Sequence, residues 1–215
     1  PEADQLPGAC RDFFTIQRWA DVSNQRHGVT WATVEAPLVS VGAMVDETAH
    51  NDGPAGWKAH AAASGTLFAY TMNNYWHTNY KADQAGTAPF TFAVWPHGLF
   101  DALAAYRFGV ERSQPLLVRP ARGAAAPMSL FTVDSPAVVV TSLIPLPEGD
   151  GMLVRLYNAG GRPETASLQW GRFHPAAVWL SNPAGERLRP VDSPLSLPAF
   201  GLATLRVEGR YVSHD

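Results

Sequence analysis

Charge is scarce in this chain, and cysteine is nearly missing. Only 16% of the 215 residues are Asp, Glu, Lys or Arg, and the formal net charge is −3. Neutralising nucleic-acid phosphates takes a dense Lys/Arg surface, and Arg107, Arg119 and Arg122 are too few to form one. No nucleic-acid partner is expected. Cys10 is the single cysteine, so no internal disulfide forms and packing must hold the fold. No apolar run approaches the roughly 20 residues that cross a bilayer, so no membrane partner is expected either. Pro1-Glu2-Ala3-Asp4 is acidic and lacks the apolar core of a signal peptide. A soluble protein is expected, with the cytoplasm favoured as its compartment.

Several chemical signatures are also missing. There is no G-x-S-x-G elbow for a nucleophilic serine. There is no Gly-rich phosphate loop of the Walker or Rossmann kind. The densest group of metal-ligand types is Asp46, Glu47, His50, Asp52 and His60. It lacks the short H-x3-H or C-x2-C spacings of tight zinc sites, so no metal site is assigned to this chain. Glycoside hydrolysis needs two carboxylates about 5 to 9 Å apart. Asp12, Asp21, Glu35, Asp83 and Asp101 are available, and nothing in their spacing marks an acid/base pair. Asp21, three residues after Arg18, reads as its ion-pair partner across a turn. No catalytic residue is assigned.

What the chain has is turn residues between short apolar runs. Hydrophobic residues make up 46%, with 18 Gly and 18 Pro scattered as punctuation, and this favours an all-β fold. Strands are expected at Phe13–Trp19, Val29–Val34, Pro37–Gly42, Leu67–Met72 and Thr87–Trp95. Leu99–Phe108 is the one credible helix, with Leu99, Leu103, Tyr106 and Phe100 toward one face. Trp31, Trp95, Trp170 and Trp179 sit in apolar strand patterns and are expected in the core.

Residues 119–127, rich in Pro, Gly and Ala, have the composition of a linker. They divide a β-sandwich domain over 1–118 from a second domain over 128–215. Beyond the linker, short strands at regular spacing mark a small antiparallel β-sandwich: Leu130–Val133, Val138–Leu143, Met152–Asn158, Thr165–Trp170, Ala176–Leu180 and Ala203–Val207. Leu195–Gly201, which contains Pro198, is expected to be an irregular edge segment.

The most distinctive stretch is Met72-Asn73-Asn74-Tyr75-Trp76-His77-Thr78-Asn79-Tyr80, which carries no Lys, Arg, Asp or Glu. Flat rings beside amides and hydroxyls suit a sugar, which has an apolar C–H face and a rim of hydroxyls. The same amides could instead satisfy neighbouring backbone at a strand end.

This stretch resembles one in the C-terminal β-rich half of bacterial family 38 glycoside hydrolases, the α-mannosidase family. Arg18-Trp19-Ala20-Asp21-Val22-Ser23, running on to Gly28-Val29-Thr30, resembles the family's R-W-x-D-x-S…G-V block. Thr33–Val39 resembles the segment that follows. His97-Gly98 and Gln114-Pro115-Leu116-Leu117-Val118 resemble the passage into the last domain. The resemblance covers roughly residues 10–207.

It implies part of a mutarotase-like super-sandwich followed by a small terminal sandwich, with one helix near the junction. In the family the catalytic centre lies in an N-terminal α/β domain, where zinc is held by His and Asp, and nothing here resembles those segments. The chain is therefore expected to be a non-catalytic C-terminal region of an α-mannosidase-like hydrolase. Its implied partners are an upstream catalytic domain of the same protein and a mannoside-containing glycan. Zinc belongs to that other domain. Arg18, Asn73, Asn74, Trp76, Thr78 and Asn79 are the residues expected at the substrate rim or the domain interface. The alternative is a stand-alone carbohydrate-binding or structural interaction module.

Overall fold

The computed structural model describes residues 5–42, 58, 60–61, 63–72, 84–120, 128–191 and 194–211. The chain divides into two compact units, Pro1–Leu116 and Leu117–Asp215. Both are built from antiparallel sheets, and a single helix stands among the described elements. The fold is all-β.

In the first unit, β1 (Phe14–Thr15), β4 (Leu38–Val41) and β5 (Leu67–Ala69) form one three-stranded sheet in the order β1-β4-β5. A second sheet joins β2 (Trp19–Ser23), β3 (Gly28–Thr33) and β6 (Phe92–His97) in the order β2-β3-β6. The strand expected over Phe13–Trp19 is thus split between the two sheets. The β2–β3 hairpin turns where Asn24 Oδ1 accepts from the backbone N–H groups of Arg26 and His27, at 2.8 and 3.0 Å.

The helix, α1, spans Ala102–Ser113 and starts later than the apolar pattern suggests. Asp101 caps it, its carboxylate accepting from the backbone N–H groups of Leu103 (2.9 Å) and Ala104 (3.1 Å). Leu99 and Phe100 precede the cap and are exposed, with the Phe100 ring 6.2 Å from that of Trp19. The buried helix residues are Ala105 and Gly109. Small residues there let the helix lie close on β2: a Cβ on Gly109 would come within 2.7 Å of Trp19 Cδ1 and 3.2 Å of Arg18 Cβ.

Alternation across the β2-β3-β6 sheet sends two sets of side chains apart. Trp19, Thr30, Ala32 and Trp95 face α1, with Trp95 against Phe108 at 5.7 Å between ring centres. Val29, Trp31, Phe92 and Val94 take the opposite face. Val29 is 39% exposed, Phe92 39% and Val94 61%. Trp31 stacks on Phe92 at 5.3 Å on this outer face instead of entering a core.

In the second unit, β7 (Phe131–Val133), β8 (Val138–Pro145), β9 (Gly151–Asn158), β10 (Glu164–Ala166), β11 (Leu168–Trp170) and β12 (Phe173–Ser181) follow in order. They are completed by β13 (Arg187–Pro190), β14 (Leu195–Leu197) and β15 (Leu202–Tyr211). Five strands form the main sheet, in the order β13-β12-β15-β9-β8. Two ribbons, β11-β7 and β10-β14, share one apolar cluster with it. That cluster draws Val138, Met152, Val154, Leu156, Phe173, Leu205 and Val207 from the sheet and Phe131, Ala166, Leu195 and Leu197 from the ribbons. Leu195–Leu197 is therefore a paired strand rather than an irregular edge, because Pro198 falls just beyond it. β13, with the sequence Arg-Leu-Arg-Pro, escapes the apolar pattern because it is an exposed edge strand.

Asn158 pins one end of this unit. It is fully buried, and its Nδ2 donates to the carbonyls of Arg162 (2.7 Å) and Pro198 (2.9 Å), while Oδ1 accepts from Gly160 N–H at 2.9 Å. Phe200, in the neighbouring turn, has φ 55°. A left-handed backbone costs a non-glycine residue about 1–2 kcal/mol.

Candidate functional site

Three of the blocks that carried the sequence resemblance, Arg18–Ser23, Gly28–Thr30 and His97-Gly98, meet where β2, β3 and β6 lie side by side. Asp21 on β2 accepts from Thr30 Oγ1 at 2.6 Å and from His97 Nε2 at 2.7 Å. The other ring nitrogen of His97, Nδ1, faces the Gly98 carbonyl at 3.0 Å. Asp21 and His97 side chains are each 6% exposed, and Thr30 is fully buried. Gly28 makes room for the group: a Cβ there would lie 2.6 Å from His97 Cε1 and 2.3 Å from Ser23 Cβ.

Electrostatics favour the charged pair. Desolvation pushes the Asp21 carboxyl up, but hydrogen bonds from Thr30, Ser23 and His97 together outweigh it and hold it below its ordinary value of 3.8. The hydrogen bond to Asp21 raises His97 above its ordinary value of 6.5, with desolvation opposing and the Gly98 carbonyl adding to the rise. Both ring nitrogens face acceptors, so each carries a proton in the imidazolium form. In that form the ring has no free lone pair, and the group acts as a charged clamp across three strands.

Asp21 does not pair with Arg18. Arg18 sits in the bend just before β2, outside the strand that carries Asp21. Arg18 instead donates from Nε to Ser113 Oγ at 3.0 Å, and Ser113 Oγ donates to the Gly109 carbonyl at 2.8 Å. Arg18 thereby ties the start of β2 to the last turn of α1. Tyr106, on the same helix, is pushed up by desolvation, with the Arg18 charge opposing.

The other described carboxylates considered for catalysis also hold the fold. Asp12 is 2% exposed and accepts from Lys58 N–H at 3.3 Å and Cys10 Sγ at 3.4 Å. Glu35 accepts from the backbone N–H of Thr91 at 2.6 Å and from its hydroxyl at 3.2 Å. Asp101 is the helix cap. Among the described residues, no group of three or more His, Cys, Asp or Glu could hold a metal ion. Asp46, Glu47, His50 and Asp52 lie outside the described residues. No described helix is long and apolar enough to cross a membrane.

Of the six residues expected at a substrate rim or interface, only Arg18 lies within the described residues. Asn73, Asn74, Trp76, Thr78 and Asn79 lie outside them, as does Asp83. A cleft of about 770 Å³ opens in the second unit, beside Glu148, His174, Arg187, Arg206 and Glu208. Its charges answer one another: Glu208 Oε1 accepts from Arg206 Nε at 2.7 Å and from Arg187 Nε at 2.9 Å. Those hydrogen bonds hold Glu208 below its ordinary value against desolvation, so it is poorly suited to donate a proton.

Two solved structures share this arrangement of strands. One is an α-mannosidase from Enterococcus faecalis V583, with TM-score 0.57 and 18% identity, covering 92% of this chain and 21% of that one. The other is a protein in the glycosyl hydrolase family 38 from Enterococcus faecalis, with TM-score 0.59 and 18% identity, covering 92% and 23%. This chain resembles part of a family 38 protein. It spans about a fifth of the length of the α-mannosidase it matches. No family model and no curated protein matches the chain. The family 38 likeness rests on fold, and it agrees with the resemblance carried by the Arg18–Ser23, Gly28–Thr30 and His97-Gly98 blocks.

Proposed function

We propose that this chain is the non-catalytic C-terminal region of an α-mannosidase-like glycoside hydrolase, where it scaffolds the catalytic domain and shapes the rim of the carbohydrate site. One observation carries the reading: nearly the whole chain shares its fold with about a fifth of an α-mannosidase. Two features of the molecule support it. The described candidate carboxylates are engaged in holding backbone and strands, which leaves them ill placed for acid/base work. The outer face of the β2-β3-β6 sheet leaves Val29, Phe92 and Val94 exposed, as a surface covered by further polypeptide would be.

In this reading the glycan is mannoside-containing, and zinc belongs to the separate catalytic domain. Arg18 is an interface residue that sets the position of α1 on β2. Asn73, Asn74, Trp76, Thr78 and Asn79 provide the polar and aromatic rim.

The test is hydrolysis of a chromogenic α-mannoside with zinc added, by this chain alone and mixed with the separately produced upstream polypeptide. The chain alone should be silent and the mixture active. Turnover by the chain alone would contradict the proposal. Silence in both, with the upstream polypeptide folded, would favour a carbohydrate-binding module.

A further inference from the structure

The turn into β15 carries an aromatic side chain in an unusual setting. Phe200 is the one non-glycine residue at positive φ among the described residues. Glycine would adopt this backbone freely, and asparagine with little strain. The phenylalanine gains little from folding in return. It is 54% exposed, and Leu202, two residues on, is 76% exposed. The ring borders Gly161, where an added Cβ would sit 3.7 Å from Phe200 Cζ, an ordinary contact.

The turn is nonetheless firmly held. Phe200 N–H donates to the Gly160 carbonyl at 3.3 Å, Gly201 N–H to Pro198 at 2.9 Å, and Asn158 N–H to Gly201 at 2.9 Å. The buried Asn158 side chain clamps the same turn through the Pro198 carbonyl. The fold therefore bears backbone strain to fix an apolar ring in water, and stored strain of that kind points to a use outside the unit's own stability. No charged residue occurs from Leu195 to Leu205.

We propose that Phe200 and Leu202 form an apolar docking anchor for polypeptide outside these 215 residues, within the same α-mannosidase-like protein. This rests on the function proposed above. The occupant is argued from length: the chain covers only 21% of the α-mannosidase that shares its fold, which leaves a large partner surface to be met. A rigid, pre-positioned aromatic is the kind of residue that dominates binding energy at an interface.

Calorimetric titration of the wild-type chain, Phe200→Gly and Leu202→Gln with the separately produced upstream polypeptide tests this, alongside thermal melting of each chain alone. Phe200→Gly should melt at or above the wild-type temperature, because its strain is relieved, yet bind about tenfold or more weakly. Leu202→Gln should melt as wild type and also bind less tightly. A fall in melting temperature for Phe200→Gly alone would mean the ring serves its own chain, and would overturn the anchor. Equal binding by all three chains would overturn the anchor and leave the proposed function standing. No binding by the wild type would remove both.

Discussion

The two units bury their residues in different ways. The second gathers Phe131, Met152, Val154, Leu156, Phe173, Leu205 and Val207 into one contiguous cluster, most of them fully enclosed. Burying one such side chain contributes about 1.5–3 kcal/mol. In the first unit, the buried apolar residues among those described are Ala32, Ala36, Val39 and Ala105. Its described aromatic residues are half-buried or exposed, and one face of its β2-β3-β6 sheet meets water with valine and phenylalanine. Specific polar links do more of the holding there: the Asp21–His97–Thr30 clamp, the Arg18–Ser113 tie and the Glu35–Thr91 bonds. A unit with a large apolar cluster can stand alone, whereas one with small buried residues and an open apolar face has the make-up of part of a larger layer.

The sharpest way to break that contrast is to perturb an enclosed position in one unit and an open-face position in the other. Leu156→Ala, at a fully enclosed position, should destabilise its unit by about 2–5 kcal/mol in denaturant unfolding. Val94→Thr, on the open face of β6, should change stability by less than about 0.5 kcal/mol. Similar losses at both positions would mean that Val94 already has a partner in this chain.

Gly109→Ala comes next. Alanine is the better helix former by about 1 kcal/mol, but its Cβ would meet Trp19. Overpacking of that kind costs about 1–3 kcal/mol, so a net fall in stability is expected. A gain would mean that α1 can lift off β2 freely.

The clamp gives the smallest effect, and one that depends on pH. His97 is raised on folding, so its contribution is complete below its ordinary value of 6.5 and is lost as pH climbs through the raised value. Asp21 is lowered, so its contribution is complete above 3.8 and fades as pH falls through the depressed value. Melting temperature should plateau between those limits and decline on the alkaline side. His97→Gln should flatten that alkaline decline, and an unchanged profile would remove the charged clamp from the account.

How much of this was legible in advance depends on sequence distance. β9 and β15 announced themselves, because Met152–Asn158 and Ala203–Val207 are apolar runs bounded by Gly, Pro and Asn. β14 and β13 did not. One is followed by a proline that looks like a breaker, and the other is a charged edge. The helix was found but placed too early, since Leu99 and Phe100 fit the period while Asp101 caps it. The Asp21–His97 contact spans 76 residues, so no local pattern could predict it. A signal was present all the same. Both residues sit in blocks that stood out, Arg18–Ser23 and His97-Gly98, and the fold brings those blocks together. Asp21 lies only three residues from Arg18, yet its partners come from β3 and from the end of β6, which closeness along the chain does not reveal.

Amide hydrogen exchange on the intact 215-residue chain tests most directly whether the first unit is incomplete. The account predicts that amides of β9, β12 and β15 exchange at the rate of global unfolding, while those of β2, β3 and β6 exchange much faster through local opening. Equal protection in both sheets would contradict it, because the first unit would then be a finished domain that needs no further polypeptide.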